Sequence, residues 1–216
     1  MNDARIFASD VAFTDVVKSI QHRKGSRAAY ARMEAAGSWE QRITPELKGE
    51  IEAQTSVFLA TASRHGQPYI QHRGGPAGFL RVLDERTIGF ADFAGNRQYI
   101  TQGNLSENPK AHLFLIDYEH RRRVKVWGTA RVVEGDEELL RKLMPPGYRA
   151  RPEQVMLFTV TAWDVTVPST SRSDSRLQTC GRRSSPATVA LPHWKRSSCN
   201  CEGVCPTRVS DLVAAR

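Results

Sequence analysis

Three short segments carry cations or glycines in arrangements that suit an anionic ligand. The first covers residues 71–78 and reads Gln-His-Arg-Gly-Gly-Pro-Ala-Gly at the end of a predicted strand. Glycines without a Cβ let a ligand approach the backbone closely, and the backbone N–H groups there can donate to it. A plain Gly/Pro loop explains the same residue types equally well, so both interpretations stay open. The candidate ligand-binding residues of this segment are Gln71, His72, Arg73 and Gly74.

The second segment is Gly95-Asn96-Arg97-Gln98, which is predicted to open a short helix. Free backbone N–H groups and the helix dipole attract anions to a helix N-terminus, and Arg97 adds a bidentate donor. An Asn96 N-cap followed by a solvated arginine is the simpler interpretation, and it is favoured when the segment is taken alone.

The third segment, residues 121–125, reads Arg-Arg-Arg-Val-Lys and precedes a long alternating pattern. Residues two apart on a strand share a face, so Arg121, Arg123 and Lys125 would lie together, opposite Val124. Three like charges repel one another unless an anion or carboxylates lie between them. This favours a phosphate or a negatively charged partner modestly over a hairpin turn with solvated charges.

Several common kinds of active site are missing from residues 1–165. We find no nucleophile triad, no cysteine, and no Gly-x-Gly-x-x-Gly after a strand that would indicate a Rossmann domain. The histidines have no metal-ligand spacing, so we predict no metal site. His112 lies in an apolar strand and is predicted to be structural.

The elements that would position these segments follow from the hydrophobic periodicity. Residues 1–54 are predicted to be helical, with a face of Phe13, Val16, Val17 and Ile20 and a later helix that begins at Thr44-Pro45. After residue 54, short apolar runs joined by tight turns predict strands. The predicted strands cover residues 56–61, 68–72, 79–83, 87–91, 111–117, 123–133 and 155–165. A helix is expected from residue 95 to 106 and another from 134 to 143.

This order of elements predicts a mainly β (α+β) fold built on an antiparallel barrel of six or seven short strands, of which we assign six to the barrel. Three regions result: an N-terminal helical segment (1–54), the barrel (55–165) and an irregular tail (166–216).

The net charge of +8 over 216 residues is unevenly distributed. Residues 1–170 carry 23 Lys+Arg and 20 Asp+Glu, a net of +3, whereas residues 171–216 carry 8 and 3, a net of +5. No apolar run is long enough for a membrane span, and no signal-peptide pattern opens the chain, so we expect a cytoplasmic protein without a membrane partner. Few aromatic side chains alternate with the cations of the basic barrel strand, so a nucleic-acid partner ranks last among the interpretations.

Taken together, these segments resemble the pyridoxamine 5′-phosphate oxidase-like, FMN-binding split-barrel family. The resemblance covers about residues 50–165 and rests on SVFLATASRHGQPYIQHRGGPAGFL, IGFADFAGNRQYITQGNLSENPKAHLFLID and RVKVWGTARVV. The most specific part is Asn104-Leu105-x-x-Asn108-Pro109 followed by an apolar strand. The resemblance implies a six-stranded split barrel, a homodimer, and one FMN that lies across the interface between the subunits.

The same resemblance implies roles for ten residues. The FMN phosphate would be held by Arg73 and Arg97, with Asn96 and Gln98 beside them. Residues along the isoalloxazine or ribityl edge would be Gln71, His72 and Gly74. The remaining contacts would come from Asn104, Arg123 and Lys125.

The implied function is that of an FMN-dependent oxidoreductase acting on a small molecule that the sequence does not identify. The fuller Ser-Arg-Lys signature of pyridoxamine-phosphate oxidases is absent, so a vitamin B6 substrate is not expected. The alternative is a non-catalytic split-barrel module that holds flavin or haem. No catalytic residue is assigned.

The tail also departs from the family. In one subgroup the strand that ends in Trp-Asp-Val continues into a segment like Asn-Cys-Pro-Gln-His-Ile-Pro-Gln-Arg-Phe-Glu. Here Trp163-Asp164-Val165 is followed by Thr-Val-Pro-Ser-Thr-Ser-Arg-Ser-Asp-Ser-Arg. The segment after Val165 can be written in codons that, once a single base is restored, encode the family's segment in the neighbouring reading frame. Our hypothesis is that residues 166–216 are out-of-frame sequence, and an intact reading frame across the Val165 codon, shared with homologues, would contradict it.

The rival interpretation of the tail is a zinc site, because four cysteines and a histidine fall within it. Their Cys-x-Cys-x-x-x-Cys spacing is not that of a standard zinc finger, which makes this reading the weaker one. The residues concerned are Cys180, His193, Cys199, Cys201 and Cys205.

Overall fold

The structure is a computed structural model that describes residues 6–37 and 39–166. The hypotheses of an out-of-frame tail and of a zinc site fall on residues outside this range, apart from Thr166, which ends the last strand. No helix among the described residues combines the length and the apolar character that crossing a membrane would require.

Three helices precede the sheet, after a short 3-10 helix at Ala8–Val11. They are α1 (Asp15–Arg23), α2 (Arg27–Ala35) and α3 (Pro45–Ala53). The predicted start of α3 is confirmed, because the Thr44 hydroxyl accepts a hydrogen bond from the Leu47 N–H and Pro45 is the first helical residue. The predicted apolar face of α1 is wrong in part, since Val16 is 70% exposed.

Seven strands and two further helices complete the described chain. The strands are β1 (Ser56–Ala62), β2 (Pro68–Gly74), β3 (Arg81–Asp84), β4 (Thr87–Phe93), β5 (Lys110–Asp117), β6 (Arg122–Val133) and β7 (Pro152–Thr166). Helix α4 (Ile100–Glu107) follows β4 as predicted, and α5 (Glu137–Leu143) lies between β6 and β7. All seven strands belong to one antiparallel sheet in the order β2-β1-β5-β6-β7-β4-β3, which is one strand more than the six we assigned to the barrel.

The sheet curls until its two ends nearly meet. Strands β2 and β4 are separated in the sheet by four others, yet Nε of Arg73 on β2 lies 3.1 Å from Oδ1 of Asp92 on β4. Strand β3 pairs with β4 only as far as Gly89, so the end of β4 faces β2 across a gap rather than through a ladder. The result is a barrel with a split at this seam.

The core fills the interior of the barrel with the inward residues of each strand. Strand β1 alternates between buried and half-buried positions, as a strand with one face in the core should. Helix α3 contributes the buried Leu47 and Ile51, while Phe90 and Phe158 are the largest buried groups of β4 and β7. A smaller cluster around Leu143 attaches α5 to the outside of the sheet.

His112 on β5 is half-buried on the outer face of the barrel, where its ring meets the Trp127 ring edge-to-face at 4.9 Å. Burial, with the positive charge of Lys125 as a smaller cause, lowers the pKa of His112 from 6.5 to about 4. The folded protein therefore binds fewer protons than the unfolded chain between pH 6.5 and 4.

We expect the free energy of unfolding to be insensitive to His112 above pH 6.5 and to fall as the pH drops towards 4. At pH 4.5 the loss attributable to this residue should be about 2 kcal/mol. Urea unfolding of the wild type and of His112→Phe at pH 7 and pH 4.5 measures it. The variant should lose less stability on acidification, and equal losses would contradict the argument.

Candidate functional site

A cleft lies at the split of the barrel, between edge strand β2, the end of β4, the loop before α4 and the start of β7. It encloses about 50 Å³, which is less than the range of about 300–1,000 Å³ that is usual for small-molecule sites, and it is otherwise open to solvent. Five of the ten predicted site residues line it together: Gln71, Arg73, Asn96, Arg97 and Gln98.

The alternation of β2 decides which of its residues reach the cleft. Arg73 pairs in register with Val57 and Gln71 with Leu59, and both β1 partners point into the core. Gln71 and Arg73 therefore share the inner face, where the Thr101 hydroxyl of α4 donates to Oε1 of Gln71 at 2.9 Å. His72 takes the opposite face and contacts the Phe58 ring with centroids 5.4 Å apart.

Arg73 is held by a buried carboxylate that the sequence analysis did not identify. Nη2 of Arg73 donates to Oδ2 of Asp92 at 3.2 Å, and Nε2 of Gln154 donates to the same oxygen at 3.1 Å. The side chains of Arg73 and Asp92 are only 19% and 8% exposed. Because Asp92 has two donors and Arg73 a fixed partner, the guanidinium is oriented before any ligand arrives.

Our prediction that the second segment opens a helix is wrong, because this segment lies in the loop between β4 and α4. Helix α4 begins at Ile100 and not near Gly95, and its N-cap is Tyr99, which makes no side-chain capping hydrogen bond. Asn96 accepts from the Gln98 N–H at 3.3 Å, so it closes a turn within the loop instead of capping a helix. The first N–H groups of α4 therefore keep no capping side chain.

Two residues of this loop have left-handed backbones that are unusual for side chains of their size. Arg97 has φ 56° and Tyr99 has φ 52°. A conformation of this kind costs about 1–3 kcal/mol per residue and persists only where surrounding contacts impose it. Here the Tyr99 hydroxyl donates to Oε1 of Glu153 on β7 at 2.9 Å, and this bond raises the pKa of Tyr99.

Arg97 is the more accessible of the two arginines in the cleft. Its side chain is 58% exposed, and its Nε lies 3.9 Å from the Oε1 of Glu153 that Tyr99 also contacts. This distance is too long for a hydrogen bond, so Arg97 has a nearby carboxylate but no close partner there.

An adjoining cavity of about 220 Å³ contains two more predicted residues. It is lined by His72 and Gly74, and it shares Arg73 and Asp92 with the cleft. The Arg73–Asp92 pair thus forms a wall common to both spaces.

The other three predicted residues lie elsewhere. Asn104 is buried behind the cleft, where its amide donates to the Thr61 hydroxyl at 3.0 Å. Lys125 and Arg123 lie on the outer face of β6, and Nζ of Lys125 is 3.3 Å from Oδ2 of Asp164. Arg123 lines a separate apolar depression with Phe114 and Tyr118.

The residues of the cleft that the sequence analysis missed include Asp92, Tyr99 and Glu153. Asp92 carried a usable signal, since it is a lone carboxylate within the apolar run of β4. Tyr99 and Glu153 carried none, because they are 54 positions apart and only the fold brings them together.

The fold and the cleft define a split-barrel protein with an arginine-bearing cleft at the seam of the barrel. The model of the family described as pyridoxamine 5′-phosphate oxidase matches residues 43–167, which is more than half of the chain. The chain belongs to this family, as its sequence motifs predicted. No curated protein matches it significantly.

Solved structures with a similar fold come from several bacteria. HupZ of Group A Streptococcus is 27% identical over 55% of this chain and 89% of its own, with a TM-score of 0.44. An FMN-binding protein of Syntrophomonas wolfei is 14% identical over 68% and 98%, with a TM-score of 0.42. The haem storage protein HutZ of Vibrio cholerae is 18% identical over 58% and 94%, with a TM-score of 0.39.

Proposed function

We propose that this protein binds FMN, with the phosphate in the cleft at the split of the barrel. The observation that carries the proposal is the convergence of Arg73, Arg97 and the uncapped start of α4 on one cleft. A phosphate is matched by guanidinium forks and by free N–H groups at a helix N-terminus, and the cleft offers both.

The donor set of the cleft fits a phosphate. Nε of Arg73 is buried and lies near Asp92 outside hydrogen-bond geometry, so this N–H has no acceptor among the described residues. Arg97 is exposed and can turn towards a ligand. Asp92 and Glu153 neutralise part of this charge, and Asp92 is already committed to Arg73 and Gln154.

FMN, once bound, supplies redox chemistry, which makes an oxidoreductase of an unidentified small molecule the proposed activity. The residues of this chain bind and orient the cofactor: the two arginines hold the phosphate, and Gln71 is placed beside them by its hydrogen bond with Thr101. No residue is assigned a proton-transfer role.

The proposal includes a homodimer. The outer face of the sheet carries a row of apolar and cationic side chains: Phe58, Ile70 and Phe114, with Lys125 and Arg123 beside them. Ile70 is 64% exposed, although it is a large apolar residue in a strand. A second copy of the chain packed on this face would cover the apolar row and bring His72, Arg123 and Lys125 to the interface.

The visible absorption spectrum of the purified protein tests the cofactor. We expect a yellow protein that releases one FMN per chain and, with FMN bound, oxidises NAD(P)H under steady-state conditions. A colourless protein that does not take up added FMN would contradict the proposal. A haem spectrum, or bound flavin without turnover, would favour the non-catalytic alternative. Light scattering measures whether the protein is a dimer in solution.

Arg97→Ala should weaken FMN binding about 10-fold or more, because one charge-assisted contact of about 1.5–3 kcal/mol is lost. Riboflavin, which has no phosphate, should bind the variant and the wild type equally. Fluorescence titration with both flavins measures this. Arg42→Ala, which removes another exposed arginine at the far end of the barrel, is the matched control.

A further inference from the structure

Glu153 lies where it can compete with a bound anion for Arg97. Its Oε1 receives the Tyr99 hydroxyl at 2.9 Å and lies 3.9 Å from Nε of Arg97. The Glu153 side chain lines the cleft and is 30% exposed, so its carboxylate is accessible from the space where a ligand would bind. A carboxylate in this place attracts the same guanidinium that a phosphate would need.

The surrounding backbone holds this arrangement in place. Glu153 is the second residue of β7, next to the irregular pairing of Asp92 and Phe93 with that strand. Tyr99 and Arg97 both have left-handed backbones, and the Tyr99–Glu153 bond joins their loop to β7. The carboxylate is therefore positioned by a hydrogen bond that does not involve Arg97.

We propose that Glu153 tunes the affinity of the cleft, because its carboxylate competes with the ligand's phosphate for Arg97 and so weakens binding of that phosphate. The inference rests on the proposed binding of FMN in this cleft.

Glu153→Gln tests the inference, because glutamine keeps an acceptor for the Tyr99 hydroxyl and removes the charge. FMN should bind the variant about fivefold more tightly than the wild type, the range expected for one exposed charge pair. Riboflavin affinity should not change. The gain should shrink as salt rises from about 0.05 to about 0.5 M, because exposed charges are screened.

A double-mutant cycle locates the effect at Arg97. In an Arg97→Gln background, Glu153→Gln should change FMN affinity by less than about twofold, since no guanidinium remains to be released. Glu85→Gln, which removes a glutamate from the exposed Arg42–Glu85 pair at the other end of β4, is the matched control and should have no effect.

Each of these affinity measurements either supports or overturns the proposed role of Glu153. An unchanged FMN affinity in Glu153→Gln, an equal gain for riboflavin, or a gain that persists in full without Arg97 would overturn the inference. Failure of the wild-type protein to bind FMN at all would instead contradict the proposed function, and the role of Glu153 would fall with it.

Discussion

Arg73→Ala is expected to lower FMN affinity more than any other single change in the cleft. Arg73 is 19% exposed and pre-oriented by Asp92, so its contact with a phosphate needs little reorganisation and is shielded from water. The loss of about 1.5–3 kcal/mol for a charge-assisted contact corresponds to roughly a 10- to 150-fold weaker affinity. Fluorescence titration with FMN measures it directly.

The same change should destabilise the fold, because it leaves Asp92 buried with Gln154 as its remaining side-chain donor. Removing one partner of a buried ion pair costs about 3–5 kcal/mol, and the bond from Gln154 should place the loss at the lower end. Urea unfolding measures this part.

A double variant separates the two effects. Arg73→Ala with Asp92→Asn removes the stranded charge, so stability should recover in part while FMN affinity stays low. If FMN affinity is unchanged in both variants, Arg73 does not contact the phosphate. Riboflavin binding reports whether the cleft itself has collapsed.

Gly128→Ala should cause the largest loss of stability among single methyl additions to the sheet. A Cβ on Gly128 would lie 2.0 Å from the Thr159 carbonyl oxygen and 2.6 Å from Cε1 of the Phe158 ring. The carbonyl belongs to β7, which pairs with β6 through a register shift at Trp127 and Gly128, and the Phe158 side chain is fully buried. Neither group can move aside without disturbing the ladder or the core, so we expect a loss of about 3 kcal/mol or more.

Gly103→Ala is the control for this prediction. Gly103 lies in helix α4, and a Cβ there would meet nothing within 4 Å. Replacing a helical glycine with alanine at an open position should stabilise the protein by about 0.5–1 kcal/mol. Thermal unfolding of the two variants should therefore shift in opposite directions, and a neutral Gly128→Ala would contradict the close packing of β6 on β7.

The sequence predicted the order of the elements well, because that information is local. The period of two in β1 and β6, the cap at Thr44-Pro45 and the turn glycines each depend on neighbours within a few positions. The start of α4 was misplaced because Asn96 is a good N-cap residue in isolation. In the fold Asn96 instead accepts from the Gln98 N–H, while the left-handed Tyr99 bonds to Glu153, which is remote in the sequence.

At the cleft, residue types indicate which chemistry is available, and the folding of the chain establishes where those residues come together. Residue types left anion binding by Arg73 and Arg97 open, and the family resemblance is what implied that they hold a phosphate. Only the curling of the sheet brings β2 to the end of β4, so only the structure pairs Arg73 with Asp92. The same alternation that directs Arg73 inward turns His72 outward, because neighbouring residues on a strand face opposite sides.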